Sequence, residues 1–123
     1  MLTRDFEGQL EVLLLKRNKA LAFAAGLWVF PGGKIEADEI AQSKDDLEAA
    51  RIAAIRETKE EANLDVKIDE LIFFNHWTTP TIEPRRYSTW FFFGEVHYDA
   101  SEVTIDDSEI KEYVWLHPQV ALD

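Results

Sequence analysis

An α/β fold is predicted by three observations on this chain. Apolar, strand-compatible runs at Gln9 to Lys16, Val66 to Trp77 and Tyr87 to Val96 stand on both sides of one long stretch of strong helix formers, Leu47 to Ala62. Turn residues such as Pro31-Gly32-Gly33 punctuate the runs. A 46% hydrophobic content with eight Phe, four Trp and three Tyr supplies the large apolar side chains that offset chain entropy. At 123 residues, the chain is sized for one domain spanning positions 1–123.

The elements follow in order. Gln9 to Lys16 reads as a strand closed by Arg17-Asn18-Lys19, with little strand before Gln9. Ala20 to Leu27 is small and apolar and contains Gly26, so a loop packed on the core is expected. Trp28-Val29-Phe30 is a brief strand stopped by Pro31-Gly32-Gly33. Asp38 to Asp46 carries four acidic residues and no periodicity, which predicts a solvated loop, with Ser43, Asp45 or Asp46 capping the next helix. In the helix from Leu47 to Ala62, Leu47, Ala54, Ile55, Thr58 and Ala62 share a packing face, while Glu57, Glu60 and Glu61 occupy an adjacent arc. The run Trp90-Phe91-Phe92-Phe93 predicts a strand buried on both faces. A proline-bearing segment, Thr78 to Arg86, precedes it. Glu112 to Leu116 is a short last strand, and His117 to Leu122 reads as the start of a final helix.

Composition narrows the function classes. No apolar run approaches the roughly 18 residues of a membrane span, and Met1 to Phe6 lacks a signal-peptide layout, so a soluble, cytoplasmic protein without membrane partners is expected. With no cysteine, thiolate chemistry is excluded and carboxylates and three histidines remain as metal ligands, which favours hard cations. A net charge of -11 argues against a general nucleic-acid binder. Any polyanionic substrate must then meet a local positive site or a bound metal.

The chemical centre of the sequence is Arg56-Glu57-Thr58-Lys59-Glu60-Glu61, three carboxylates within five positions of one helix. Unpaired, they repel by a few tenths of a kcal/mol per pair. A divalent cation reverses that sign, because carboxylate oxygens converging on one side suit magnesium or calcium. A solvated acidic face is the alternative that the cluster alone leaves open.

The surrounding residues decide between them. Leu27-Trp28-Val29-Phe30-Pro31-Gly32-Gly33-Lys34-Ile35-Glu36, followed by Arg56-Glu57-x-x-Glu60-Glu61-x-x-Leu64, resembles the Nudix box, G-x5-E-x7-R-E-U-x-E-E-x-G-U with U aliphatic. The resemblance runs roughly from Leu10 to Leu122 and implies an α/β/α sandwich with a mixed β-sheet and a catalytic loop-helix-loop. Three departures stand out. Gly33 and Arg56 are 23 positions apart where the box allows 14, so about nine residues are inserted. The first box glutamate is therefore ambiguous, Glu39 keeping its spacing from Gly33 and Glu48 its spacing to Arg56. Asn63 holds the second glycine's position, and Thr58 replaces an aliphatic residue; Asn best tolerates the left-handed conformation at a helix end. The inserted box, His76-Trp77-Thr78-Thr79-Pro80 and Arg85-Arg86-Tyr87 are similar to a branch containing coenzyme A diphosphatases.

The family resemblance implies a hydrolase that cleaves the P–O–P linkage of a nucleoside diphosphate derivative, with coenzyme A or an acyl-coenzyme A as the leading substrate. Glu57, Glu60 and Glu61 would hold magnesium, or manganese as the alternative, with a backbone carbonyl near Gly33. Arg56 would pair with a box carboxylate and fix its rotamer. The metal would polarise a diphosphate oxygen and lower the pKa of the attacking water. Glu109 stands where some members place a general base, although an exposed acid in an acidic loop is the alternative. A cleaner of nucleoside triphosphates and a non-catalytic ligand-binding module are the competing functions; the isomerase branch would need a cysteine.

Outside the box, Arg85 and Arg86 are the only adjacent arginines and are candidates for substrate phosphate. Lys34 follows the Gly-Gly turn and is a candidate lining residue. Trp77 could stack on a base, but aromatics beside strands usually fill cores, and a core role is expected. His76 lacks ligand-spaced partners, which predicts a hydrogen-bonded structural imidazole. The ends are short for the family, and either a homodimer partner or an exposed sheet edge is expected to compensate.

Overall fold

The computed structural model describes residues 1–20, 26–78 and 88–118. Among the described residues, six strands and two α-helices run in the order β1 (Leu2–Phe6), β2 (Gln9–Arg17), β3 (Trp28–Val29), α1 (Ala37–Gln42), α2 (Asp46–Ala62), β4 (Ile72–Thr78), β5 (Ser88–Glu95) and β6 (Ile110–Leu116). The predicted α/β class and mixed sheet hold. β1 pairs antiparallel with β2 and parallel with β5, while β6 pairs antiparallel with β2. Val12 faces Thr3 across one ladder and Leu116 across the other, so β1 and β6 flank opposite edges of β2. β3 continues β1's edge at Leu15 and Lys16.

β1 corrects the expectation of little strand before Gln9. Glu7 and Gly8, with φ of 52° and 79°, close a two-residue hairpin. Both positive φ values match the turn geometry that follows the strands' own twist. The Asp5 carboxylate accepts from the Gly8 amide at 3.0 Å. β1 carries Leu2 into the core, where Leu13, Leu15, Leu64, Val66, Leu71, Phe92, Val96, Val103 and Ile110 join Ala50 and Ala62 of α2. Ala49, Ala50 and Ala53 are buried on the face of α2 toward the sheet, and such small side chains let a helix approach closely.

The acidic stretch Asp38 to Asp46 is not simply a loop, because Ala37–Gln42 forms α1. The Glu39 carboxylate accepts from the Glu36 amide at 2.9 Å, satisfying a donor that a helix start leaves unpaired. α2 begins on Asp45, whose carboxylate accepts from the Glu48 amide at 2.8 Å, and ends on Asn63 in the left-handed region at φ 56°. Both ends are thus as the sequence predicts.

The strand expected from Val66 starts later. A 3-10 turn covers Ile68–Glu70, and β4 begins at Ile72. β4 and β5 form an antiparallel ribbon with an irregularity between Phe73 and Asn75. The ribbon is not buried on both faces, since β4 is exposed throughout and Phe92 is the one fully buried aromatic of β5. Trp77, expected in the core, is 53% exposed. β4 has β5 as its only strand partner among the described residues, which leaves its outer side chains without cover. His76 stacks on Trp90 with ring centroids 3.8 Å apart and is hydrogen-bonded to Ser88, as a structural imidazole should be. Among the described residues no helix is long and apolar enough to cross a membrane. Arg85, Arg86 and most of the expected final helix lie outside the described residues.

Candidate active site

The site is built where the Pro31-Gly32-Gly33 turn, α1 and the second half of α2 meet. Arg56 is its hub. Its Nε donates to Glu39 Oε2 at 2.9 Å and its Nη2 to Glu39 Oε1 at 3.0 Å, the two-pronged contact that a planar guanidinium makes with a carboxylate. Its Nη1 donates to Glu57 Oε1 at 2.6 Å and Glu60 Oε2 at 3.2 Å. Its Nη2 also donates to the Lys34 carbonyl at 2.7 Å. The two glutamates that the inserted box leaves open differ in placement. Glu39, 4% exposed, meets Arg56, whereas Glu48 faces Lys44 at 4.0 Å.

Arg56 holds the Glu39 carboxyl below the usual carboxylate range, chiefly through its hydrogen bonds and against the opposing effect of burial. Reciprocally, Glu39 holds Arg56 more firmly in its charged form. α1 is thus pinned onto α2 by a charge pair that closes across the inserted segment.

The other carboxylates behave in the opposite way. Burial pushes the Glu61 carboxyl up to about 8, with the charges of Glu57 and Glu109 adding to the rise. Arg17 and the Gly32 amide, which donates to Glu61 Oε1 at 2.9 Å, act against it. Burial also raises Glu57, with Glu60 and Glu109 contributing and Arg56 opposing. Glu61 is 2% exposed, so it does not lie on the solvated acidic arc that helical periodicity suggests. Glu109 is exposed at the start of β6, and its backbone carbonyl accepts from the Asn18 amide at 2.8 Å. Arg56 thus joins Glu57 and Glu60, while Glu61 and Glu109 lie within electrostatic reach of Glu57.

Gly33 lies directly against the Glu57 carboxylate. A Cβ there would lie 2.4 Å from Glu57 Cδ, so any larger residue at this position would displace the Glu57 carboxylate. Lys34 joins through its carbonyl, and Trp77 sits on the exposed ribbon opposite Thr89.

Among the described residues no three His, Asp or Glu side chains converge closely enough to hold a metal as they stand. The donor chemistry nevertheless fits a hard cation. The site offers carboxylate oxygens and main-chain carbonyls, without sulfur, around a Glu61 carboxyl whose charged form is disfavoured until positive charge arrives.

Glu36 and Glu39 are both candidates from the sequence, but the helix α1 that carries Glu39 is not expected from it; Glu36, its N-cap, lies 3.8 Å from Arg56. The signal was the three-residue spacing of Glu36 and Glu39, a capping pattern hidden in an acidic run. Sequence reasoning also missed Arg17, brought toward Glu61 by the end of β2.

The NUDIX domain family model matches residues 1–123. A putative nudix hydrolase 7 of Caenorhabditis elegans is 27% identical over 91% of this chain, and the chain spans about half, 48%, of that relative's length. A CTP pyrophosphohydrolase of Escherichia coli is 28% identical over 89% of the chain and 70% of the relative. A NUDIX hydrolase structure from Alicyclobacillus acidocaldarius superposes with a TM-score of 0.80 at 21% identity, covering 98% of this chain and 78% of the other. That likeness concerns the fold.

Proposed function

Because the chain belongs to the NUDIX family, we propose that it hydrolyses a diphosphate linkage in a nucleoside diphosphate derivative, with magnesium, or manganese in its place, held by Glu57, Glu60 and Glu61 beside the Gly33 backbone. The observation that carries this reading is the buried Glu61 carboxyl, set next to Glu57 with Glu109 in electrostatic reach. When bound, the cation supplies polarisation of a phosphoryl oxygen and neutralisation of charge on the leaving group.

The chain's own residues do the remainder. Arg56 holds the Glu57 carboxylate by one oxygen and ties α2 to α1, so the helix presents its glutamates from a fixed backbone. The Gly32 amide orients Glu61. Glu109, exposed at the edge of the cluster, accepts the proton of the attacking water as the new P–O bond forms and the bridging P–O bond breaks. Two phosphorylated products result.

A non-catalytic module is disfavoured by the same carboxylates, since a site that binds no cation gains nothing by burying Glu61 beside Glu57. Coenzyme A and its thioesters are the leading substrates through the inserted box and the His76-Trp77-Thr78-Thr79-Pro80 motif. The Escherichia coli relative, a CTP pyrophosphohydrolase, favours a second reading in which a nucleoside triphosphate is cleaved.

The test is a panel of coenzyme A esters, nucleotide sugars, dinucleotides and triphosphates, read by mass with and without magnesium. At least one is expected to be cleaved only with the metal, and Glu61→Gln is expected to slow that reaction by orders of magnitude. No turnover across the panel, or turnover indifferent to Glu61→Gln, contradicts the proposal.

A further inference from the structure

Resting on the diphosphohydrolase reading, we infer that a cationic cavity at the junction of β2 and β6 receives a terminal, dianionic phosphate group of the substrate that is not part of the scissile linkage. The cavity measures about 290 Å³ and is lined by Lys16, Arg17, Asn18, Lys19, Lys111 and Glu112. Four of the chain's 13 basic residues line it, against one acid, in a molecule of net charge -11. A field of that sign in an otherwise negative surface gathers a polyanion locally.

The backbone is shaped to place these charges. In the ladder between β2 and β6, Lys16 faces Glu112 and Arg17 faces Ile110, so Lys111 is the extra residue at a register shift. Such a bulge turns a side chain out of the regular alternation. The Lys111 ammonium is held by the Asp107 carbonyl at 2.7 Å and by the Asp107 carboxylate at 3.4 Å, and Lys16 meets Glu112 at 3.4 Å. These are ion pairs with at least one well-exposed partner, weak enough for a dianionic phosphate to compete with them.

The cavity adjoins the segment that carries Glu109. The Asn18 amide donates to the Glu109 carbonyl at 2.8 Å and the Asn18 side chain to the Ser108 carbonyl at 2.9 Å. Arg17 acts electrostatically on Glu61 from the same strand end. Among the described residues, this cavity thus gathers positive side chains on the Arg17 side of a diphosphate lying at Glu57 and Glu61. Both a phosphate on the ribose and a terminal phosphate of a longer chain carry the required chemistry.

The test separates this inference from the hydrolase reading by measuring binding. The full chain is titrated calorimetrically with adenosine 3',5'-bisphosphate, ADP and AMP, at low and moderate salt. At least one of the two ligands with the additional phosphate is expected to bind tenfold or more tightly than AMP, and which one does identifies the position of the recognised phosphate. The advantage is expected to shrink as salt rises. Lys19→Ala with Lys111→Ala should bring that ratio close to one, and Lys111→Arg should retain most of it. Equal affinity for all three ligands, or a ratio unchanged in the double variant, overturns the inference. If the ratio is as expected but no diphosphate is cleaved, the hydrolase reading fails and the cavity stands. If dephospho-coenzyme A and coenzyme A are cleaved with equal kcat/KM and no binding preference appears, the cavity fails and the hydrolase reading stands.

Discussion

The two ends of the carboxylate cluster have similar composition and opposite electrostatics. At one end Glu39 is buried and ionised, because Arg56 grips both its oxygens at 2.9 and 3.0 Å. At the other, Glu61 is equally buried but is pushed up to about 8, with Glu57 and Glu109 as negative neighbours. A buried carboxylate with a dedicated cation is a structural clasp. A buried carboxylate without enough positive charge is the place where a divalent ion adds the most.

The largest expected difference is in activity. Glu61→Gln should lower turnover by about a thousandfold or more in any metal-dependent cleavage, while leaving the metal-free melting temperature at pH 8 unchanged or higher, since it removes an uncompensated buried acid. Stability is the next. Glu39→Gln should destabilise the fold by about 3 kcal/mol, read by urea titration, because it leaves the Arg56 guanidinium with a partner lost. Glu48→Gln, at the rival position, should change stability by about 0.5 kcal/mol or less.

The ends should also part in their pH dependence when metal is chelated. Glu39 is lowered by Arg56, so its contribution is present above the ordinary carboxylate range and is lost as pH falls through its folded value. Glu61 is raised from 4.5 to about 8, so between those values the unfolded chain has released a proton that the folded chain keeps, and stability falls as pH rises. The opposing slopes predict a metal-free stability maximum on the acid side of neutrality. Denaturation followed from pH 4 to pH 9 in EDTA checks it, and magnesium should flatten the alkaline limb. The smallest effect belongs to the ribbon, where Trp77→Ala at a 53% exposed position should cost about 0.5 kcal/mol or less.

What could be read from the sequence were the parts governed by near neighbours. The limits of α2 followed from Asp45 as a cap and Asn63 as a left-handed stop, and the Gly-Gly turn ahead of the glutamates identified the family motif. What could not be read depended on distant partners. α1 looked like a solvated loop because its acids repel in isolation; Arg56, 17 positions beyond Glu39, makes that segment worth folding. The aromatic run of β5 suggested burial on both faces, yet burial depends on cover, and β4 supplies an exposed ribbon instead. The strand before Gln9 was hidden by Arg4 and Asp5, with only Glu7-Gly8 to mark the hairpin. The cationic cavity needed β6 to carry Lys111 back to Lys16 and Lys19 across some ninety residues of chain.

The most direct test of the contrast between the two ends is a calorimetric magnesium titration of the wild-type chain and of Glu61→Gln and Glu39→Gln at pH 8. Saturable binding in the wild type, abolished by Glu61→Gln and retained by folded Glu39→Gln, is the predicted result. Binding that survives Glu61→Gln unchanged, or a wild-type protein that binds no magnesium or manganese, would contradict the account.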